Sequence, residues 1–127
     1  MAKPGDTLKL LLVDDEQDYL RVLKKRLTKR GLAVTTAGSG AEAIQTLRSQ
    51  DFDVAVLDLK MEDMDGIEVL KVFKKMVPDL AVIMLTGHGS EQAAREGLAL
   101  GAADYLIKPC DLEILLERVN WAAGLGQ

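Results

Sequence analysis

Short aliphatic runs alternate with longer amphipathic stretches along this chain. The first run, Leu8-Lys9-Leu10-Leu11-Leu12-Val13, ends at Asp14-Asp15. A nearly unbroken apolar run of that length predicts a strand covered on both faces, as in a parallel sheet. Leu20, Leu23 and Leu27 then recur at spacings of three and four, with Arg21, Lys24, Lys25 and Arg26 between them and Gly31 beyond, which predicts an amphipathic helix. Residues 32–36 predict a second strand, and Ser39-Gly40-Ala41-Glu42 has the Ser-x-x-Glu form that caps a helix carrying Ile44 and Leu47. A third strand, Val54-Ala55-Val56-Leu57, precedes Asp58, and the helix after it is lined by Leu70, Phe73 and Val77 and stopped by Pro78. Residues 80–85 lead to Thr86, Ala93, Gly97 and Leu98 mark a fourth helix, and Tyr105-Leu106-Ile107 leads to Lys108. Leu112, Leu115, Leu116 and Val119, capped by Asp111, close the series.

Five strand–helix units in succession predict an α/β fold with a doubly wound parallel sheet, because right-handed helical crossovers place helices on both faces. Ligands in such sheets gather at the carboxyl ends of the strands. The residues there are Asp14 and Asp15 after the first strand, Asp58 after the third, Thr86 after the fourth and Lys108 after the fifth. The second strand offers nothing chemical.

The chain has 127 residues, 48% of them hydrophobic and only 4% aromatic, enough aliphatic material for one core without metals or disulfides. The expectation is a single domain over 1–127, with a core of about 8–122 and short flexible ends. A formal net charge of -4 argues against general affinity for nucleic acid or anionic membrane. The lone cysteine, Cys110, has no internal partner, and no long apolar run or leader stands out, so the expected setting is the cytoplasm.

Three carboxylates on one edge repel, each pair at about 4 Å by roughly 4 kcal/mol at an effective dielectric near 20. A positive centre must sit among them. A hard divalent cation fits, since magnesium needs only one or two carboxylates beside water and phosphate oxygens. A carboxylate can attack phosphorus and form an aspartyl phosphate when cations offset the charge on the transferring group. Lys108 supplies one such charge, the Thr86 hydroxyl a hydrogen bond, and backbone N–H groups at a helix start supply others.

With these residues in place, the chain resembles the response-regulator receiver family over nearly its whole length. The resemblance is carried by Leu12-Val13-Asp14-Asp15-Glu16, by Asp58-Leu59-Lys60-Met61 leading to Met64-Asp65-Gly66, by Leu85-Thr86-Gly87, and by Ala103-Asp104-Tyr105-Leu106-Ile107-Lys108-Pro109. It implies a flavodoxin-like sheet of order 2-1-3-4-5 with five helices. It implies Asp58 as phosphoacceptor; a magnesium ion, with manganese as the alternative, on Asp14, Asp15, Asp58 and the backbone carbonyl of Lys60; and Thr86 and Lys108 on the phosphoryl oxygens. By the same resemblance Thr86 and Tyr105 form the switch, Lys108-Pro109 is cis and aims the lysine into the site, and the first helix docks a kinase. The implied partners are a sensor histidine kinase or phosphotransfer protein, an output domain or effector, and a second copy through helix 4, strand 5 and helix 5. Direct nucleic-acid binding and membrane association are not implied. The implied role is a signalling phosphoacceptor that catalyses only its own phosphotransfer and dephosphorylation. One departure stands out: the family usually has proline after the methionine of the third loop, and this chain has Glu62. With Asp63 and Asp65 it adds acid near Asp58, expected either to strengthen cation binding or to slow an anionic phosphodonor.

Bland readings accompany each residue. Asp14-Asp15 alone reads as a helix cap, Thr86 as a turn residue, Lys108 as a solvated charge and Tyr105 as packing. His88 reads as modulatory at most, and Gly38-Ser39-Gly40 and Gly87-His88-Gly89 read as turns, since neither completes a phosphate-loop pattern. Trp121 and the tail to Gln127 read either as packing on the last helix or as the start of a linker. Three other functions compete. A haloacid-dehalogenase-like phosphatase would need Asp-x-Asp after the first strand, where this chain has adjacent Asp14-Asp15. A degenerate receiver acting only as a docking module would have lost part of the acid set. A flavin or nucleotide binder would need a ring-holding loop and aromatics.

Overall fold

The computed structural model describes residues 7–87 and 91–124. The expectations for His88, for Gly89 and for flexible ends therefore lie wholly or partly outside the described residues. The elements follow the alternating pattern: β1 (Lys9–Val13), α1 (Gln17–Lys29), β2 (Ala33–Ala37), α2 (Gly40–Ser49), β3 (Val54–Leu57), α3 (Gly66–Met76), β4 (Ala81–Thr86), α4 (Glu91–Ala99), β5 (Asp104–Ile107) and α5 (Leu112–Ala122). All strands are parallel in the order β2-β1-β3-β4-β5.

Because strand side chains alternate between faces, each inner strand feeds two cores. Leu11, Val13, Ala55, Leu57, Val82 and Met84 pack under α2 and α3 around a fully buried Phe73. Leu10, Leu12, Val54, Val56, Ile83 and Leu85 pack under α1 and α5. Gly97 is the buried residue of α4, where a Cβ would overlap the sulfur of Met84, whereas Leu98 points outward. Val77 caps α3 at its C-terminus and is not part of the helix.

The expected caps are present. Asp111 accepts from the Glu113 N–H at 2.8 Å and Ser39 Oγ from the Glu42 N–H at 3.1 Å. Glu42 reaches back one residue further than a capping box requires, accepting from the Gly38 N–H. Trp121 lies within α5 and is 64% exposed, so it is neither buried packing nor outside the helix. No helix among the described residues is long and apolar enough to cross a membrane.

Candidate functional site

The ladder hydrogen bonds continue past the strand ends and hold the next residues in register. The Asp14 N–H donates to Ala37 O, the Asp58 N–H to Val13 O and the Lys108 N–H to Thr86 O, at 3.0–3.1 Å. The side chains of neighbouring strands therefore converge at the carboxyl edge, where oxygens of Asp14, Asp15 and Asp58 all lie within 4.8 Å of one another.

Burial distinguishes this group from a surface acid cluster. Asp14 is 2% exposed, Asp58 4% and Thr86 0%. Lys108 enters from β5: its Nζ lies 2.5 Å from Asp14 Oδ2, 3.4 Å from Glu16 Oε1 and 3.6 Å from Asp58 Oδ2. The same ammonium stands 4.3 Å from the centroid of the Tyr19 ring, within cation–π range. The Lys108-Pro109 bond is cis, as the resemblance implies.

Burial pushes the Asp14 carboxyl above the usual aspartate range, against the opposing pull of Lys108 and the Glu16 amide, and the Asp58 charge adds to the rise. Burial also disfavours charge on Lys108, but its bond to Asp14 and the charges of Asp14 and Asp58 outweigh that and hold its pKa above the usual lysine value. One ammonium thus serves several oxygens, and the buried carboxylates remain short of positive charge. Oxygen donors, close spacing and this deficit suit a hard divalent cation.

The backbone organises the remaining oxygens. Asp14 Oδ1 accepts from the Glu16 N–H at 2.9 Å, Asp58 Oδ1 from the Lys60 N–H at 3.2 Å, and Asp15 Oδ2 from the Glu62 N–H at 3.1 Å. The cap reading of Asp14 does not hold: the N-cap of α1 is Glu16, with no side-chain cap, and the Asp14 carboxylate closes a turn before the helix while also holding Lys108. An open cavity of about 290 Å³ beside Asp58 is lined by Asp15, Glu16, Lys60, Met61 and Glu62. Gly66 lets α3 begin directly beneath this loop, since a Cβ there would stand 2.5 Å from the Asp58 carbonyl oxygen.

Thr86 and Tyr105 lie on one face of the sheet, because Met84 pairs with Tyr105 and Thr86 follows Met84 by two residues. Tyr105 packs against the α2–α3 core, and its hydroxyl is buried without a hydrogen-bond partner among the described residues.

Asp65 is an N-cap for α3, accepting from the Ile67 N–H at 2.9 Å, and the Asp63 carboxylate accepts from the Gly40 and Ala41 N–H groups of α2. Neither is among the acids that cluster with Asp58. The backbone N–H bonds from Gly40 and Ala41 hold the Asp63 carboxyl below the usual aspartate range. Sequence reasoning gave no role to Glu16 or Tyr19, nor to the Glu62 N–H. Glu16 was legible as a third acid after Asp14-Asp15, while the contacts of Tyr19 and Glu62 have no local signal.

Comparison with known proteins agrees with this geometry. The model of the response regulator receiver domain matches residues 10–120. The chain is 39% identical over 111 residues to the transcriptional regulatory protein GlrR of Escherichia coli K12, covering 87% of this chain and 25% of GlrR. It thus spans about a quarter of the length of that relative. Among solved structures it resembles a CheY-like receiver domain protein of Methanospirillum hungatei, with a TM-score of 0.90, 30% identity, and 94% and 95% of the two chains covered. It also resembles a response regulator of Burkholderia pseudomallei solved with a phosphorylated aspartic acid, calcium and citrate, with a TM-score of 0.85, 27% identity, and 92% and 69% covered. With the family pattern matched across nearly all of its strands and helices, the chain belongs to the response regulator receiver domain family and serves as a phosphoacceptor in two-component signalling.

Proposed function

We propose that Asp58 is the residue phosphorylated and that residues 8–122 form the receiver unit. The observation that carries this reading is the burial of Asp58 and Asp14 around Lys108 with Asp15 in reach. The Lys60 N–H occupies Asp58 Oδ1, leaving Oδ2, on the Lys108 side, to attack phosphorus. In the transfer the phosphorus–nitrogen bond of a phosphohistidine breaks as the aspartyl oxygen–phosphorus bond forms, and the imidazole leaves with its electron pair. Lys108 exchanges part of its contact with Asp14 for a phosphoryl oxygen, and the Thr86 hydroxyl donates to another. Asp14, Asp15, Asp58 and the Lys60 carbonyl would hold magnesium, or manganese, which supplies positive charge to the transferring group. A calcium ion and a phosphorylated aspartic acid in the B. pseudomallei structure support this assignment. The same site would dephosphorylate itself by admitting water to phosphorus.

The donor is a sensor histidine kinase or a phosphotransfer protein, and the setting is the cytoplasm. The phosphorylated form shifts Thr86 and Tyr105 and so reshapes the α4–β5–α5 surface, which then engages an output domain, an effector or a second copy. Support for a switch lies in the shared sheet face of Thr86 and Tyr105 and in the Tyr105 hydroxyl, which has no partner among the described residues.

The test is intact-mass analysis after incubation with a small acyl or amido phosphate and magnesium. Wild type should gain one base-labile phosphoryl group and Asp58→Asn none; equal labelling of both would sink the assignment.

A further inference from the structure

The connection between β3 and α3 is closed at its base and tied at its tip. At the base the Gly66 N–H donates to the Leu59 carbonyl at 2.8 Å, and Lys60 pairs with Asp65 across one antiparallel bridge. At the tip the Glu62 N–H donates to Asp15 Oδ2 at 3.1 Å, and the Asp63 carboxylate spans the Gly40 and Ala41 N–H groups at 3.0 Å each. Gly40 makes room for this approach, since a Cβ there would stand 2.9 Å from the sulfur of Met64. With Ser39 accepting from the Glu42 N–H and the Ala43 N–H bonded to Ser39 O, every first-turn donor of α2 is satisfied, two of them by Asp63.

We propose that the Glu62 main-chain N–H and the Asp63 carboxylate are positioning groups for the cation site: Asp63 anchors the loop tip on α2, and the anchored loop holds the Asp15 carboxylate and the Lys60 backbone where a cation needs them. The proposal rests on the reading of Asp14, Asp15, Asp58 and Lys60 as the cation's ligands. Both side chains are exposed, and Asp63 is not one of the clustered carboxylates, so they act through the loop. The Glu62 contact depends on residue type in an unusual way. Any residue except proline supplies the N–H, and proline is the one the family usually carries here. The departure at position 62 therefore gives this chain a backbone donor to Asp15. A carboxylate already oriented by a hydrogen bond loses less freedom on ligation, and removing such an outer contact costs roughly tenfold in metal affinity.

The experiment is a magnesium titration of the isotope-labelled protein, followed by amide NMR shifts at about 0.15 M salt so that remote charges are screened. Asp63→Ala and Glu62→Pro should each bind magnesium about tenfold more weakly than wild type. Glu62→Gln, which keeps the N–H and loses the charge, should stay within about twofold. Asp53→Ala is the control for a merely structural bond, because Asp53 Oδ2 accepts from the Lys9 N–H at 2.8 Å near the start of β1, at the opposite edge of the sheet. It should lower stability without changing magnesium affinity. Unchanged affinity in Asp63→Ala, with wild type binding normally, would overturn the proposal alone, and this variant decides the matter if Glu62→Pro does not fold. An equal loss in Glu62→Gln and Glu62→Pro would overturn the role of the N–H. No magnesium binding by wild type would overturn the ligand assignment and the proposal together.

Discussion

The Lys108 ammonium and the Asp14 carboxylate meet at 2.5 Å with side-chain exposures of 13% and 2%, so the shortest ion contact of the site is also one of its driest. Asp58 shares the same ammonium at 3.6 Å. Two buried carboxylates on one lysine are a costly arrangement for a metal-free protein, because desolvation of a second anion is not repaid. The arrangement suits a site that takes up further positive charge.

Asp14→Asn should therefore raise the stability of the metal-free protein at neutral pH, since it removes one buried charge and leaves Lys108 paired with Asp58. Magnesium should narrow the difference, because wild type gains binding energy, about 2.7 kcal/mol at a concentration a hundredfold above Kd. Urea unfolding with and without magnesium measures both. A variant less stable than wild type under metal-free conditions would mean that the Asp14–Lys108 pair repays its burial.

Tyr105→Phe removes a hydroxyl that is buried without a partner among the described residues. An unpaired buried donor costs about 1–3 kcal/mol, so the variant should unfold at equal or higher denaturant than wild type. If the ring turns on phosphorylation, its NMR signals should also move with a beryllofluoride mimic in wild type and stay in place in Thr86→Ala.

Gly66→Ala would drive a Cβ against the Asp58 carbonyl and the Leu59 backbone, which cannot yield as a side chain can. A loss of at least about 1–3 kcal/mol follows from overpacking. Because the strain falls on the Asp58 peptide, phosphoryl labelling of the folded fraction should slow as well if Asp58 is the residue labelled. Labelling at the wild-type rate would show that the loop relaxes without moving Asp58.

The Asp63 tie to α2 should be visible in the pH dependence of stability. Its carboxyl lies below the ordinary aspartate range because two helix N–H groups bind the ionised form. Such a group stabilises the fold fully above its unfolded pKa of about 3.9, and the contribution disappears as pH falls through the lower folded value. Asp63→Ala should cost about 1 kcal/mol at pH near 7, as loss of a helix cap does, and the gap to wild type should close in acid below about pH 4. A gap independent of pH would mean that the ionised carboxylate is not what binds α2.

Trp121 is the natural fluorescent reporter, yet it sits near the end of α5, next to Ala122 and Ala123, which line a cavity with Lys9 and Asp53 at the starts of β1 and β3. Its emission should stay nearly constant as magnesium fills the opposite edge. A large change would reveal coupling along the whole length of the sheet.

The sequence by itself determined the alternation of elements, the two-faced burial of β1, the caps at Ser39 and Asp111, and the identity of the residues at the strand ends. These are local matters: period, run length and cap chemistry act over a few residues, and the parallel direction of the strands then dictates which edge their ends share. Only the tertiary structure decided which of the many acids are buried and what each one holds. Asp14, Asp63 and Asp65 are the same residue type in loops at one edge of the sheet. Yet Asp14 lies in the interior against Lys108, 94 positions away, Asp63 ties α2 across 22 and 23 positions, and Asp65 caps its own helix. The strand end marks Asp14, but no local pattern shows what each carboxylate holds, because that depends on how much water remains around it once the sheet closes and on which amides the crossovers bring within reach.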